Sequence, residues 1–351
     1  MKRRAICWFL CFLLFILLSG MGWHVARIFR DYEELPSDPA IGNKAKSIEA
    51  LKNKGLPFSF LVLGDVHGTW RSDELLRLAI KEKGEVSFMA LLGDFANAPR
   101  IWEHRFFLAR MAGEIKPPFP VFLVPGNHDI EYGRSKEKTN HELVTPEVYE
   151  SLYGPRNFFF VFNQCLFVIC GIDPSTPYTY LNFLRETLQR EAPGKRYIFL
   201  FAHTPPKVAV HIGGSSLLPK ENEFFALLEE FKVTSCFFGD RHAYWRGQRK
   251  GTGLIISGGG GRFKSYQPEW GKFHHHIKVT VDKEMIDEDI LTAGEGLGLA
   301  IAFQHFAFKQ LGPFVQGRTW VLYLVCSVFV AAALYSLVGF VGSLRRWRGG
   351  R

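Results

Sequence analysis

Carboxylate, imidazole and amide side chains recur in this chain directly after short apolar runs that end in or near glycine. Each offers an oxygen or nitrogen donor of the kind that binds Mn, Fe, Zn or Ni ions. They are Asp65 and His67 in GDVHG, Asp94 and Asn97 in GDFAN, Asn127, His128 and Asp129 in GNHD, His203 in FAHTPP, and Asp240 and His242 in GDRH. Such donors, if brought together, predict a two-metal site in which a bridging hydroxide attacks phosphorus in line.

The apolar runs before these residues have the length of strands that are buried on both faces, about four to eight residues. Between several runs, apolar residues recur at helical spacing; these segments are 73–83, 100–113, 180–191 and 220–231. The alternation predicts an α/β domain over residues 57–290. Since ligands bind at the carboxyl ends of strands in such sheets, we expect the donor side chains to converge there.

Two stretches inside this domain depart from the alternation of strand and helix. The run FFFVFNQCLFVI predicts a hairpin with Asn163 and Gln164 at its turn. The three histidines at 274–276 predict a surface or edge strand, on which at most two imidazoles share a face.

The five donor motifs, in this order, resemble those of the calcineurin-like metallophosphoesterase family over residues 58–261, about 60% of the chain. The resemblance implies a four-layer αββα sandwich, in which two mixed β-sheets are flanked by helices. It implies two metal ions, Mn, Fe or Zn, at one edge of the sandwich. It also implies hydrolysis of a phosphate ester or a pyrophosphate by a hydroxide that bridges the two metals.

The resemblance further implies a role for each residue that matches a family position. Three side chains match ligands of the first metal: Asp65, His67 and His242. Asn127 and His203 match ligands of the second metal, and Asp94 matches the carboxylate that bridges both.

A histidine next to these ligands matches a residue that touches the substrate in the family. His128 matches the histidine that contacts the phosphate and protonates the leaving oxygen. The resemblance implies that Asp129 or Asn97 holds His128 in position. His211, in the loop after His203, is a candidate substrate contact.

The last motif departs from the family pattern, which ends in G-H-x-H. Here Asp240 stands where an imidazole ligand of the second metal is expected. Three interpretations stay open. Asp240 binds the second metal and favours harder ions such as Mn or Mg, or it leaves that site weak, or it marks a non-catalytic binding or scaffolding protein on the same fold. The adjacent Arg241 neutralises Asp240, grips a substrate phosphate, or is simply solvated.

Two segments without charged side chains, residues 5–26 and 319–344, bracket the domain. Each exceeds the roughly 20 residues that a helix needs to cross a bilayer. They predict an N-terminal transmembrane anchor within residues 1–26, or a signal peptide, and a C-terminal transmembrane helix at 319–344. A linker is expected at 27–56. Residues 294–318 fit an interfacial helix and a helix packed on the domain equally well.

Basic residues at the two ends predict the orientation in the membrane. Seven of them flank the apolar segments and account for most of the formal net charge of +9, which leaves +2 for everything between. Both termini are therefore expected in the cytoplasm and the domain outside it, in the periplasm if the cell is Gram-negative. So small a charge argues against a nucleic-acid partner. The expected substrate is a phosphate ester, soluble or lipid-linked; its identity and the oligomeric state do not follow from the sequence.

Overall fold

The computed structural model of this protein describes residues 2–33, 40–51, 55–81, 86–133, 142–207, 218–264, 268–292, 306, 310, 318 and 320–348. The chain divides into two compact units. One consists of Met1–Pro36 and Phe303–Arg351, and the other of Ser37–Ala302.

The first unit contains two long apolar helices, α1 (Lys2–Glu33) and α8 (Trp320–Arg348). The helices run antiparallel, and their aromatic rings pair along the contact: Trp8 with Tyr335, Phe9 with Phe340, Phe15 with Phe329, and Trp23 with Tyr323. Gly22 allows a close approach, because a Cβ there would lie 2.7 Å from Sγ of Cys326. Both helices are long and apolar enough to cross a membrane, over Arg3–Arg27 and Trp320–Arg346.

The second unit contains two mixed sheets, and the first has the strand order β11-β10-β1-β2-β3. Its strands are β1 (Phe58–Leu63), β2 (Val86–Leu91), β3 (Val121–Leu123), β10 (His275–Val281) and β11 (Ile286–Thr292). The first three strands of the chain pair in parallel, and β10 pairs antiparallel with β1 and with β11. The carboxyl ends of β1, β2 and β3 therefore lie at one edge of this sheet.

The second sheet has the order β4-β5-β6-β7-β9-β8. Its strands are β4 (Phe158–Phe162), β5 (Cys165–Cys170), β6 (Tyr197–Ala202), β7 (Ser235–Phe238), β8 (Tyr244–Arg249) and β9 (Thr252–Ser257). Its four inner strands are parallel, and both edge strands are antiparallel to their neighbours. Asn163 and Gln164 form the turn between β4 and β5, so the predicted hairpin is confirmed.

Helices lie between the strands, four of them at the segments that the sequence predicts. They are α2 (Ala45–Glu49), α3 (Trp70–Lys81), α4 (Ile101–Arg110) with a π-helical turn at Met111–Ile115, α5 (Pro146–Tyr153), α6 (Pro177–Glu191), α7 (Glu221–Glu230) and a 3-10 turn at Glu269–Gly271. The apolar faces of α6 and α7 pack on β5, β6 and β7. The predicted architecture, two mixed sheets flanked by helices, is confirmed.

Phenylalanine side chains form the core between the two sheets. Alternate residues of a strand face the same side, and this side carries Phe60, Phe88, Phe122, Phe160, Phe167, Phe199, Phe201 and Phe237. All eight are buried. The opposite face of the second sheet carries smaller side chains such as Leu166 and Val168 beneath α6. The stiff aromatic layer holds the strand ends of the two sheets at a defined distance.

The boundaries of the linker differ from those expected from the sequence. Its start is helical, because α1 continues to Glu33. Ile41, near its middle, is buried and bridges to Val121. The buried side chain of Asn43 donates to the carbonyl oxygens of Leu123, at 2.8 Å, and Pro155, at 3.0 Å. Residues 40–49 are therefore part of the second unit rather than a connector.

Three further details concern the C-terminal part of the domain. The expectation that the histidine run lies on a surface or edge strand is wrong, since β10 lies between β1 and β11, and His275 and His276 are buried. The last strand, β11, ends at Thr292, just beyond the predicted limit of 290. The predicted helix at 294–318 lies outside the described residues except for positions 306, 310 and 318.

Candidate metal centre

The donor side chains occupy the loops that follow β1, β2, β3, β6 and β7, all at the carboxyl ends of their strands. The first three strands belong to one sheet and the last two to the other. The loops of both sheets meet at one edge of the sandwich. Side chains as far apart in the sequence as His67 and His242 are thus brought into contact, with Nε2 atoms 3.2 Å apart.

One cluster of donors consists of Asp65, His67, Asp94 and His242, which are all buried and offer ligand atoms within 4.8 Å of one another. Nε2 of His67 lies 3.5 Å from Oδ2 of Asp94, and Nε2 of His242 lies 3.6 Å from Oδ1 of Asp65. Burial lowers the pKa of His67 to about 3 and also lowers that of His242. Both shifts favour the neutral imidazole, and the two Nε2 atoms lie in one small space.

A second cluster surrounds Nε2 of His203. Oδ1 of Asn127 lies 3.0 Å from this nitrogen, Oδ1 of Asp94 3.4 Å and Oδ1 of Asp240 3.9 Å. The carboxylate of Asp94 belongs to both clusters, because its Oδ2 faces His67 while its Oδ1 faces His203. This is the arrangement of a carboxylate that can bridge two cations.

Main-chain carbonyl groups orient two of the imidazoles. Nδ1 of His203 donates to the carbonyl oxygen of Leu92 at 2.7 Å, and Nδ1 of His242 donates to that of Arg262. Each bond leaves Nε2 directed at the donors, which is how proteins orient histidines that bind metal. The sequence reasoning missed Leu92 and Arg262, since a backbone carbonyl carries no signal in the residue type.

The electrostatics of the site favour the binding of a cation. Burial raises the pKa of Asp65 well above its usual range, and its Oδ2 is buried without a hydrogen-bond donor among the described residues. Burial alone would lower the pKa of His203, but the carboxylates of Asp94, Asp65 and Asp240 raise it well above its usual range. Negative charge is thus in excess here, and a cation would neutralise it.

The backbone is strained at the same residues. Asp65, His67, Asp94, Asp240 and His242 all have positive φ, at 59°, 45°, 52°, 64° and 29°. A non-glycine residue in this region costs on the order of 1 kcal/mol, and such residues cluster where function requires a particular side-chain direction. Five of the eleven non-glycine residues with positive φ among the described residues therefore lie at this edge.

Glycines in the motifs permit the close approach of the loops. A Cβ on Gly126 would lie 2.2 Å from Oδ1 of Asp94, and one on Gly239 would lie 2.8 Å from Oδ2 of Asp65. Neither position has room for a side chain, so the loops can reach this spacing only with glycine there.

His128 lies beside the two clusters, with 42% of its side chain exposed. Nδ1 of His128 bonds to the main-chain carbonyl oxygen of Asn97 at 2.8 Å. Nε2 lies 4.0 Å from Oδ2 of Asp94. The contact from Asn97 therefore comes from its backbone, and the Asn97 side chain is exposed.

Asp129 organises the loops. Its carboxylate accepts hydrogen bonds from the N–H groups of Asp94, Ala96 and Gly126, at 2.8, 2.9 and 2.8 Å. Burial, with a contribution from Asp94, raises its pKa to about 7. Asp129 thus joins the loop after β2 to the loop after β3, and its described hydrogen bonds do not include His128.

Of the two candidate substrate contacts, Arg241 and His211, only Arg241 lies among the described residues. Arg241 is buried, at 4% exposure, which rules out the interpretation that its side chain is solvated. His211 lies outside the described residues.

Comparison with known proteins finds a matching family model and solved structures with a similar fold. A family model described as calcineurin-like phosphoesterase matches residues 58–244, more than half of the chain. A dimetal phosphatase from Danio rerio is 15% identical, with a TM-score of 0.51 over 68% of this chain and 98% of that chain. A likeness at this identity shows a shared fold.

Two further solved structures are similar at lower TM-scores. Purple acid phosphatase PPD1 from yellow lupin is 14% identical, with a TM-score of 0.47 over 70% of this chain and 53% of that one. GAP50, the anchor in the inner membrane complex of Plasmodium, is 15% identical, with a TM-score of 0.49 over 72% of this chain and 94% of that one. Among curated proteins, none matches this sequence.

Proposed function

Since this chain belongs to the calcineurin-like phosphoesterase family, we propose that it hydrolyses a phosphate ester or a pyrophosphate in a reaction that depends on two metal ions. The observation that carries the proposal is the placement of Asp94. Its two carboxylate oxygens face two separate sets of donors, at 3.5 Å from Nε2 of His67 and 3.4 Å from Nε2 of His203.

The residues that would hold the ions divide into the two clusters. Asp65, His67 and His242 would hold the first with Oδ2 of Asp94, and Asn127, His203 and Asp240 would hold the second with Oδ1 of Asp94. The donor types suit Mn, Fe or Zn. When bound, such ions lower the pKa of a water and stabilise the charge that develops on the phosphoryl oxygens.

His128 is suited to move a proton. With Nδ1 bonded to the carbonyl oxygen of Asn97, its Nε2 is directed toward the edge where the ester must lie. As the oxygen of a water that has given up one proton to solvent bonds to phosphorus and the ester P–O bond breaks, a proton on Nε2 of His128 passes to the leaving oxygen. Asp129 accepts hydrogen bonds from the N–H groups of both loops, and the N–H of His128 donates to Oδ1 of Asp94 at 2.9 Å. Together these bonds hold His128 in a fixed position relative to Asp94.

A second candidate is a non-catalytic binding or scaffolding protein, favoured by one observation, the aspartate at position 240 in place of an imidazole. The geometry favours the enzyme. Oδ1 of Asp240 is 3.9 Å from Nε2 of His203, within the second cluster. A carboxylate there still supplies a ligand atom, of a harder type than the imidazole it replaces.

The proposal is tested with the purified full chain in detergent. We expect close to two ions per chain by elemental analysis, hydrolysis of a chromogenic phosphate ester, loss of both after chelation, and recovery on adding Mn²⁺. A protein that retains no metal and hydrolyses no ester in the presence of Mn²⁺, Fe²⁺ or Zn²⁺ would favour the binding role instead.

We also propose that α1 and α8 both cross the membrane, with the termini in the cytoplasm and residues 37–302 outside it. The support is the set of seven basic residues beyond the two apolar segments. In bacterial cells, a fluorescent protein fused after Arg351 should fluoresce, and protease added to spheroplasts should digest the domain. A domain that is protected until the cells are lysed would contradict this orientation.

A site held at a membrane suits a lipid-linked phosphate or pyrophosphate as well as a soluble monoester. The two are separated by comparing turnover of a phospholipid phosphate in mixed micelles with that of a water-soluble ester. Faster turnover of the soluble ester would count against the lipid.

A further inference from the structure

Arg241 lies buried beside the proposed second metal position. Its side chain is 5% exposed, and Nη1 lies 3.2 Å from Oδ2 of Asp240. A buried guanidinium next to a cation site is unfavourable by itself, because like charges repel strongly where water is excluded. Its presence therefore calls for a compensating arrangement, and the pairing with Asp240 provides one.

The two oxygens of Asp240 face different partners. Oδ2 lies against Arg241, while Oδ1 is 3.9 Å from Nε2 of His203. The backbone holds Asp240 at this position, because the N–H of Asp240 donates to Oδ1 of Asp65 at 3.1 Å and Asp240 has a φ of 64°. With Oδ2 directed to Arg241, one oxygen remains for an ion, just as an imidazole offers one nitrogen.

The formal charge of the site leads to the same conclusion. Asp65, Asp94 and Asp240 together carry −3 when ionised, and Arg241 reduces this to −2. A site with a neutral histidine at position 240 and an uncharged residue at 241 would also carry −2. Asp240 and Arg241 together therefore leave the formal charge of the site at −2, the value that a histidine ligand at position 240 would give.

We propose that Asp240 and Arg241 act as a single charge-compensated unit that takes the place of an imidazole ligand. Asp240 supplies one oxygen to the second ion, and Arg241 is a positioning residue that attracts the other oxygen as an ion pair and cancels the added charge. The inference rests on the proposed function only in requiring that the second cluster binds a cation. It makes the two positions interdependent, so that the effects of replacing them do not add.

The test is a double-mutant cycle on the full chain, with Asp240→His, Arg241→Met and the double variant, and with Arg241→Lys to keep the charge. Mn²⁺ binding to chelator-stripped protein is measured from the electron paramagnetic resonance signal of the free ion. Asp240→His alone removes the carboxylate that lies 3.2 Å from Arg241 and leaves that cation beside the second cluster, and we expect it to weaken binding of the second Mn²⁺ by about 10–100-fold. The double variant should recover to within about threefold of wild type, and Arg241→Lys should stay close to wild type.

Kinetics provide a second readout. Arg241→Met alone leaves the site at −3, so we expect KM for an anionic ester to rise about tenfold, with a smaller change in kcat. If Arg241 had only a structural role, Arg241→Met would instead lower the unfolding temperature and would not raise KM more than it changes kcat.

The inference is overturned if Asp240→His binds the second Mn²⁺ as well as the double variant does, or if the effects of the two substitutions add. It is also overturned if wild type binds fewer than two Mn²⁺ ions. If the cycle behaves as expected but wild type hydrolyses no ester, the proposed function fails and the paired ligand stands. If wild type is an active two-metal enzyme with an additive cycle, only the paired ligand fails.

Discussion

Asp94→Asn is expected to lower kcat/KM for phosphate ester hydrolysis by about 10²–10³-fold or more. An amide has one acceptor oxygen, whereas the two oxygens of Asp94 face His67 and His203 separately. The substitution would direct an N–H₂ group at one of the two clusters and remove a negative charge that both share. The fold should persist, because an asparagine has nearly the same shape.

The measurement is steady-state hydrolysis together with elemental analysis of the purified variant. We expect fewer than two ions per chain and an unchanged far-ultraviolet circular dichroism spectrum. Asp289→Asn, at an exposed position of β11, makes the same chemical change away from the site and should retain activity and metal. Full activity of Asp94→Asn would refute a bridging role for this carboxylate.

Phe167→Ala is expected to destabilise the domain by about 3–5 kcal/mol, the range found when a large buried aromatic side chain is truncated. Phe167 is fully buried between the sheets. Its ring centroid lies 5.0 Å from that of Phe88, 4.9 Å from that of Phe160 and 5.2 Å from that of Phe199. The rigid neighbours cannot collapse into the space, so a cavity adds to the lost burial.

Urea unfolding of the full chain in detergent, followed by near-ultraviolet circular dichroism, measures the loss. The control is Val161→Ala on the partner strand of the same hairpin. Val161 is 40% exposed, and we expect a cost of no more than about 1 kcal/mol. A Phe167→Ala variant no less stable than this control would show that the aromatic layer is not the main source of stability.

Several features could be predicted from local sequence patterns because a local physical rule governs them. Apolar runs that end in Gly-Asp or Gly-Asn indicate a buried strand followed by a sharp turn, so the order of strands and helices and the placement of donors at strand ends follow from residue types. The hairpin at Asn163 and Gln164 follows in the same way. The family resemblance also rests on these short motifs, and the match to residues 58–244 confirms it.

Other features depend on which segments meet in space. That β1 pairs with β10, so that the strand carrying the histidine run is not an edge strand, follows from a long-range antiparallel pairing with no local signal. The role of Asp129 in joining two loops through backbone N–H groups and the carbonyl groups of Leu92 and Arg262 that orient histidines are likewise invisible in residue types.

The sequence by itself therefore determined the chemistry available to this protein: the donor types, their order and their attachment to strand ends. Only the tertiary structure decided how these donors divide into two clusters that share Asp94, and that Arg241 is buried against Asp240. The physical reason is that spacing along the chain constrains distances only within a strand, turn or helix. Distances between loops of different sheets are set by the aromatic core that packs the sheets together.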